Sequence, residues 1–140
     1  MIIIPAALAL IREFEGCSLH AYLDPIGIPT IGYGSTHDVT LGMVITAQEA
    51  SERLQDDVKS FADAVSIIVS PKLTSSQFSA AVCFAYNVKG WEHTPLFGYL
   101  AKGYTGLAAQ HWCLYDKADG RPMEGLERRR KAELALFQTP

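Results

Sequence analysis

The stretch EFEGCSLHAYLDPIGIPTIGYGS, residues 13 to 35, decides the fold of the first part of this chain. Six glycines and prolines fall within it, and such residues interrupt helices and strands and favour tight turns. Two β-prone runs, LHAYL and PTIGYG, lie on either side of the turn sequence DPIGI, and together they predict a small antiparallel hairpin. The same stretch places Glu15, Asp24 and Thr30 nine and six residues apart. Two carboxylates and a hydroxyl so close to these turns indicate a site as well as a fold.

Outside this stretch the sequence has the periodicity and the end signals of helices. The motifs TAQE and TSSQ, which begin at Thr46 and Thr74, are capping boxes. The first precedes apolar residues at helical spacing, and the second precedes the very apolar run FSAAVCFAYNV, which predicts a core helix. The predicted helices run from Pro5 to about Glu15, from Thr46 to about Val69, from Thr74 along the apolar run, from Thr94 to Gly103, from Thr105 through Trp112, and from about Glu124 onward.

These elements predict an α+β fold with a small β-containing N-terminal lobe and a larger helical C-terminal lobe, joined by a long helix. A chain of 140 residues is expected to form a single domain. We expect the β-containing lobe over about residues 16–45 and the joining helix over about 46–69. The helical lobe is expected over about 70–140, together with the N-terminal helix of residues 5–15.

The charge of the chain argues against one class of function. Its net charge is −3, whereas a nucleic-acid-binding protein is expected to carry a basic face. Residues 1–70 carry three basic and nine acidic side chains, and residues 71–140 carry nine and six. This asymmetry fits two lobes that face each other, and it fits two solvated surfaces equally well.

The cysteines and histidines favour neither a disulfide framework nor a metal site. Cys17, Cys83 and Cys113 are odd in number and have no CxxC spacing, which is typical of a chain made in a reducing compartment. We expect Cys17 to be a small buried hydrophobic residue, although its place two residues after Glu15 leaves a redox role open. A metal-dependent wall amidase would need paired ligand motifs, and none is formed by the four histidines, which are His20, His37, His93 and His111.

The opening MIIIPAALAL is apolar, but it predicts neither export nor a membrane span. It has no basic start, Pro5 interrupts it, and Arg12 and Glu13 end the apolar run far short of a bilayer's thickness. We therefore expect no signal or transmembrane segment in this chain and no stable membrane insertion.

Glu15 and Asp24 can divide acid and base work if their surroundings differ. Glu15 falls at a predicted helix C-terminus, where the helix dipole and apolar neighbours favour the protonated carboxyl that a general acid needs. Asp24 lies in a polar turn and is expected to stay ionised, and Thr30 can hold a water molecule. Glycoside hydrolysis uses such a pair. On residue type alone, however, a solvated helix end, a turn residue and a β-former are the simpler interpretations.

The spacing of the three residues resembles a known family. The pattern of Glu, eight residues, Asp, five residues and Thr within EG..L.AY.D..G.PTIGYG is similar to the phage-type lysozymes (endolysins) of glycoside hydrolase family 24. The segments ITAQEASERLQDDV, LTSSQFSAAVCFAYNV and GLERRRKAEL resemble the interlobe helix, the core helix and the closing segment of that family. The resemblance covers nearly the whole chain and implies a lysozyme-like fold.

The resemblance implies a muramidase that hydrolyses the β-1,4 bond between N-acetylmuramic acid and N-acetylglucosamine, with inversion and without a cofactor. Glu15 becomes the proton donor, Asp24 the second carboxylate and Thr30 the residue that positions the attacking water. Inversion implies carboxyl groups roughly 6.5–9.5 Å apart. Arg129 is the candidate partner of Glu15, although it is equally well one cation of the solvated run RRRK. The partner is bacterial peptidoglycan, and we expect a monomer made in the host cytoplasm that acts on the wall in the periplasm.

The sequence departs from the family pattern in two ways, and two rival functions are open. Ser35 stands where many relatives have a histidine, so we expect a stabilising histidine contact to be absent, with His37 two residues further on. The net charge is also less basic than is common among lysozymes.

A lytic transglycosylase would cut the same bond with Glu15 alone, and an inactive wall-binding or structural module would need none of the three residues. Trp91, Trp112 and the tyrosines can stack on sugar rings, although core packing explains most of them.

Overall fold

The computed structural model describes residues 2–140, which contain six α-helices and two small antiparallel hairpins. The helices are α1 Pro5–Glu15, α2 Ala47–Ile68, α3 Ser75–Asn87, α4 Pro95–Lys102, α5 Thr105–His111 and α6 Glu124–Phe137. The strands are β1 Ser18–Leu23, β2 Pro29–Gly32, β3 Lys117–Ala118 and β4 Arg121–Pro122, and two 3-10 turns cover Trp91–His93 and Trp112–Leu114. The predicted α+β class and all six predicted helices are confirmed.

The two capping boxes read from the sequence are present. The Thr46 hydroxyl accepts the backbone N–H of Glu49 at 3.1 Å, and the Glu49 carboxylate accepts the N–H of Thr46 at 3.2 Å. Thr74 and Gln77 make the same reciprocal pair, at 3.1 and 2.9 Å. Each box satisfies two backbone N–H groups that a helix start leaves without an intrahelical acceptor, so α2 and α3 begin where their sequences predict.

The described residues form two compact units. The hairpin unit is Ile11–Ser60, and the helical unit consists of the residues up to Leu10 together with Phe61–Pro140. Within the hairpin unit, Ile31, Ile45 and Ala50 are buried and form a small apolar core. Ile31 belongs to β2, the strand that also carries Thr30, so this core holds that strand in place.

In the hairpin unit β1 pairs with β2, and a further extended segment pairs with β1. The register of the hairpin places Tyr22 opposite Thr30 and Leu23 opposite Pro29. Backbone bonds of 2.9 Å join Ala21 to Met43 and Leu19 to Ile45. β1 is therefore the central strand and β2 an edge strand, where a proline is tolerated because no strand lies beyond it to need its N–H.

The core of the helical unit is built around α3 and α6. Phe84, near the end of α3, has its ring centroid 5.7 Å from that of Trp112 and 5.1 Å from that of Tyr115, both edge to face. Trp112 is fully buried and Trp91 is 8% exposed, so the prediction that core packing explains these tryptophans is confirmed. Aromatic pairs of this kind add about 0.5–1.5 kcal/mol each beyond the area they bury.

The hairpin of β3 and β4 was not predicted, and the fifth helix ends earlier than expected. Asp119 and Gly120 join the two strands with positive φ angles of 51° and 75°. A two-residue Asp-Gly connection is a strong hairpin signal, but its flanking strands have only two residues each and no alternating pattern. α5 stops at His111 and continues as a 3-10 turn from Trp112. No helix within residues 2–140 is both long and apolar enough to cross a membrane.

Candidate active site

Glu15 is the last residue of α1, and Gly16 ends the helix as predicted. The backbone N–H of Gly16 donates to the Arg12 carbonyl at 3.0 Å, and its φ of 65° lies in the left-handed region. A Cβ atom at this position would meet nothing within 4 Å, so backbone handedness rather than lack of space requires the glycine. The half-buried Glu15 side chain therefore extends from the last residue of α1, where Gly16 ends the helix.

Asp24 follows the last residue of β1 and closes the turn of the hairpin with its side chain. Its Oδ1 accepts the backbone N–H groups of Ile26 at 3.0 Å and of Ile28 at 2.8 Å. Its own N–H donates to the Ile28 carbonyl at 2.9 Å, and its carbonyl accepts the N–H of Gly27 at 2.9 Å. Both side-chain bonds use Oδ1, which leaves Oδ2 as the carboxylate oxygen that the turn does not employ.

Thr30 lies in β2 and is 4% exposed. Its hydroxyl donates to the Ile28 carbonyl at 2.9 Å. Because the hydroxyl proton is used in this way, the oxygen keeps lone pairs that can accept a hydrogen bond from water. The structure therefore brings Asp24 and Thr30 together through one residue, and Glu15 belongs to the same hairpin unit.

Arg129 and Arg130 are buried, at 4% and 1% exposure, so the interpretation of Arg129 as one cation of a solvated run is wrong. Arg130 Nε lies 2.7 Å from Glu133 Oε1 and its Nη2 2.9 Å from Oε2, while Arg129 Nε lies 3.6 Å from Oε2. Arg130 also donates to Asn87 Oδ1 at 2.8 Å. The pairing of Arg129 with Glu15 stays a prediction.

Glu133 is a buried charged residue that the sequence analysis missed. It is 0% exposed, and it accepts the Trp112 indole N–H at 3.2 Å on Oε1. Burial raises the pKa of its carboxyl, and the adjacent Arg130 opposes that effect. The available signal was the spacing of Arg130 and Glu133, which places the two side chains on one face of a helix.

Ser35 and His37 both contact Asp57, so a histidine contact is present close to Ser35. His37 Nδ1 lies 3.0 Å from Asp57 Oδ1, and the Ser35 hydroxyl donates to Asp57 Oδ2 at 2.5 Å. Arg53 donates to the carbonyls of His37 and Asp38 at 2.8 and 3.3 Å. The loop after β2 is thus attached to α2 by side chains from both segments, and the histidine that contributes is His37, two residues after Ser35.

The exposure of Cys17 differs from what was expected. Cys17 is exposed, not buried, because it follows the left-handed Gly16 in the connection between α1 and β1. Cys83 is buried and Cys113 half-buried, and all three are free thiols. Within residues 2–140, no group of three or more histidine, cysteine or acidic side chains is placed to hold a metal ion.

The sequence matches the model of the family described as Phage lysozyme over residues 12–133. The chain belongs to the phage lysozyme family. It is 40% identical over 142 residues to the endolysin of Bacillus phage PZA, in an alignment covering 96% of this chain and 54% of that protein. It is 34% identical over 134 residues to the endolysin of Salmonella phage P22, covering 91% of each. The chain spans about half the length of the endolysins of Bacillus phages PZA and B103.

Solved structures of phage lysozymes and a related domain share this fold. The muramidase domain of SpmX from Asticaccaulis excentricus superposes with a TM-score of 0.90 at 32% identity, covering 99% of both chains. A mutant of P22 lysozyme gives a TM-score of 0.85 at 33% identity, again over 99% of both. The predicted lysozyme-like fold class is therefore confirmed. The four candidate residues fall inside the matched phage lysozyme region, and their roles stay predictions.

Proposed function

We propose that this chain is a muramidase that hydrolyses the β-1,4 bond between N-acetylmuramic acid and N-acetylglucosamine in bacterial peptidoglycan, with inversion at the anomeric carbon. Membership of the phage lysozyme family supports a lysozyme activity, and the aligned relatives named above are endolysins. The observation that carries the proposal is local. Asp24 and Thr30 are fixed to the same residue, Ile28, in the unit that also holds Glu15 at a helix end.

In this mechanism Glu15 gives its proton to the glycosidic oxygen as the bond from that oxygen to the anomeric carbon breaks. A water molecule attacks the anomeric carbon from the opposite face and gives up a proton toward Asp24. Thr30 accepts a hydrogen bond from this water, because its own proton is committed to Ile28. The fixed Oδ1 of Asp24 leaves Oδ2 to face the water, so one carboxylate serves both the turn and the reaction.

The proposal also includes the partner, the cofactor requirement, the oligomeric state and the location of the enzyme. Its partner is peptidoglycan, and the mechanism draws only on side chains and water, so no cofactor is assigned. We propose a single catalytic domain that acts as a monomer, without nucleic-acid binding or stable membrane insertion. It is made in the host cytoplasm and acts on the wall in the periplasm during host lysis.

The test is digestion of purified peptidoglycan by the wild type, Glu15→Gln and Glu13→Gln, with mass analysis of the released sugar ends. Glu13 is the matched control, because it is an exposed glutamate on the same helix. We expect the wild type and Glu13→Gln to release reducing ends, and Glu15→Gln to release none while keeping its melting temperature.

Each other outcome removes one element of the proposal. Anhydro-sugar ends from the wild type would assign the chain to the lytic transglycosylases. An active, folded Glu15→Gln protein would remove Glu15 from the mechanism. No product from the wild type, with retained binding to the wall, would favour a binding module. Nuclear magnetic resonance of the newly formed sugar end reports inversion or retention directly.

A further inference from the structure

Tyr22 differs from the other tyrosines in having no side-chain partner within residues 2–140. Tyr22 is 43% exposed, and among residues 2–140 its hydroxyl has no hydrogen-bond partner and its ring no aromatic or cationic partner. Each of the other five tyrosines contacts a neighbour: Tyr33 meets Arg12, Tyr86 meets Phe61, Tyr99 meets His111, Tyr104 meets Lys102 and Tyr115 meets Phe84.

The register of the hairpin places Tyr22 beside the candidate catalytic pair. Tyr22 is directly opposite Thr30, and residues directly opposite in an antiparallel pair have their side chains on the same face. Asp24 comes two residues after Tyr22, and its backbone bond to Ile28 continues the same register. Tyr22 and Thr30 therefore share one face of the hairpin, and Asp24 lies two residues beyond Tyr22, where β1 passes into the turn.

The chemistry of a tyrosine fits a sugar at this place. An aromatic ring offers an apolar face to the C–H groups of a pyranose ring, and the phenol hydroxyl can donate to or accept from sugar hydroxyls and amides. An exposed ring of this size loses contact with water when a ligand covers it, which favours binding. Leu23, the next residue, is 52% exposed and by strand alternation lies on the other face, so it offers a comparison for an exposed side chain that is not opposite Thr30.

We propose that Tyr22 is a substrate-binding residue that stacks on a pyranose ring of the peptidoglycan strand next to the bond being cleaved. This inference rests on the proposed muramidase function and adds to it a residue that sets where the sugar lies against Asp24 and Thr30. Tyr22 is not involved in proton transfer, so it affects substrate affinity and leaves the chemical step unchanged.

The test compares Tyr22→Ala, Tyr22→Leu, Tyr22→Phe and Leu23→Ala in the otherwise native chain. Binding of a soluble tetrasaccharide of alternating N-acetylglucosamine and N-acetylmuramic acid is measured by calorimetry in a Glu15→Gln background, so that the ligand is not consumed. Turnover is measured as reducing ends released from soluble glycan strands. Tyr22→Leu keeps apolar bulk over Thr30 while removing the aromatic ring, and Leu23→Ala is the control for an exposed side chain on the other face.

We expect Tyr22→Ala and Tyr22→Leu to raise Kd and KM about tenfold with kcat within twofold of the wild type, which corresponds to the loss of one aromatic contact. Tyr22→Phe and Leu23→Ala should stay within about threefold in Kd and KM. Unchanged affinity in Tyr22→Leu would overturn the proposal. A fall in kcat at constant KM would also overturn it, because Tyr22 would then act through Thr30.

Failure of the muramidase assignment gives a different result from failure of the Tyr22 assignment. Anhydro-sugar ends from the wild type, with tetrasaccharide affinity that still depends on the Tyr22 ring, would reject hydrolysis and keep the sugar-binding role. Normal release of reducing ends by a Tyr22→Leu protein with wild-type Kd and KM would reject the sugar-binding role and keep hydrolysis.

Discussion

Asp24 and Thr30 share one hydrogen-bonding partner, the residue Ile28 that lies between them. The Ile28 N–H donates to Asp24 Oδ1 at 2.8 Å, and the Ile28 carbonyl accepts the Thr30 hydroxyl at 2.9 Å. A carboxylate and a hydroxyl on the two sides of the hairpin are therefore set relative to each other by a single residue. Their mutual position depends on the hairpin itself and not on the packing of distant elements.

The first prediction concerns the charge of Asp24. In Asp24→Asn the amide oxygen keeps both bonds to the turn, so we expect the free energy of unfolding to change by less than about 1 kcal/mol. The release of reducing ends should fall by about 10²–10⁴-fold, because the amide cannot take a proton from water. Urea denaturation and peptidoglycan digestion measure the two quantities. Asp24→Ala is the contrast, since it also loses the turn bonds and should cost about 1–2 kcal/mol.

The second prediction concerns the hydroxyl of Thr30. Thr30→Val keeps the shape of the side chain and removes the hydroxyl, and we expect activity to fall about 10²-fold because the water loses its orientation. The free energy of unfolding should fall by about 1 kcal/mol, since the Ile28 carbonyl retains the bond from the Asp24 N–H. Thr30→Ser restores the hydroxyl and should recover most of the activity. Equal activities in the valine and serine variants would exclude a role for this hydroxyl.

The third prediction concerns the buried charges of α6. Glu133→Gln keeps the volume of the side chain but leaves two buried guanidinium groups without their shared carboxylate, which should cost about 3–5 kcal/mol of stability. Lys131→Gln, at an exposed position of the same helix, should change stability by less than about 0.5 kcal/mol. Chemical denaturation of both variants measures the difference. A loss below about 1 kcal/mol in Glu133→Gln would show that the arginines find compensation elsewhere.

The fourth prediction concerns the alkaline limit of stability. Burial raises the pKa of the Cys83 thiol from 9.0 to about 12, and Glu133 adds to the shift. Between these values the unfolded chain loses the thiol proton while the folded chain keeps it, so stability falls as the pH rises above 9.0. The slope from this group approaches about 1.4 kcal/mol per pH unit.

Cys83→Ala is the control for that slope, because it removes the titrating thiol from the same site. Denaturation at several pH values between about 9 and 10.5 should show the wild type losing stability faster than the alanine variant. The two curves would run parallel if the thiol ionised equally in the folded chain.

Most helix starts and ends were predictable, the end of α5 excepted, because their determinants are local. Thr46, Thr74 and Gly16 each act within four residues, so their effects can be read from the sequence. The β3–β4 hairpin was missed because its strands are too short to show alternation, although Asp119 and Gly120 carried the turn signal.

The contacts that escaped prediction depend on packing between segments that are distant in the sequence. Asp57 lies twenty residues after His37, and nothing in the local sequence of either indicates that they meet. Burial of Arg130 and Glu133 likewise depends on Trp112 and Asn87, which come from other helical segments. The exposure of Cys17 follows from the direction in which the chain leaves Gly16, which composition does not specify.

Because of the hydrogen bonds between Asp24 and Ile28, the nine residues from Tyr22 to Thr30 form a self-contained cassette, a segment that can be exchanged between proteins as a unit. The donors and acceptors of the hydrogen bonds described for Asp24 and Thr30 all lie within this segment, so their arrangement should be kept when the segment is moved. Exchange of the whole cassette between relatives should conserve the arrangement, whereas a single inserted residue inside it would break the shared partner. The exposed residues 25 and 26 are accordingly the part of the tip where side chains can vary most freely, whereas the φ of 86° at Gly27 favours glycine.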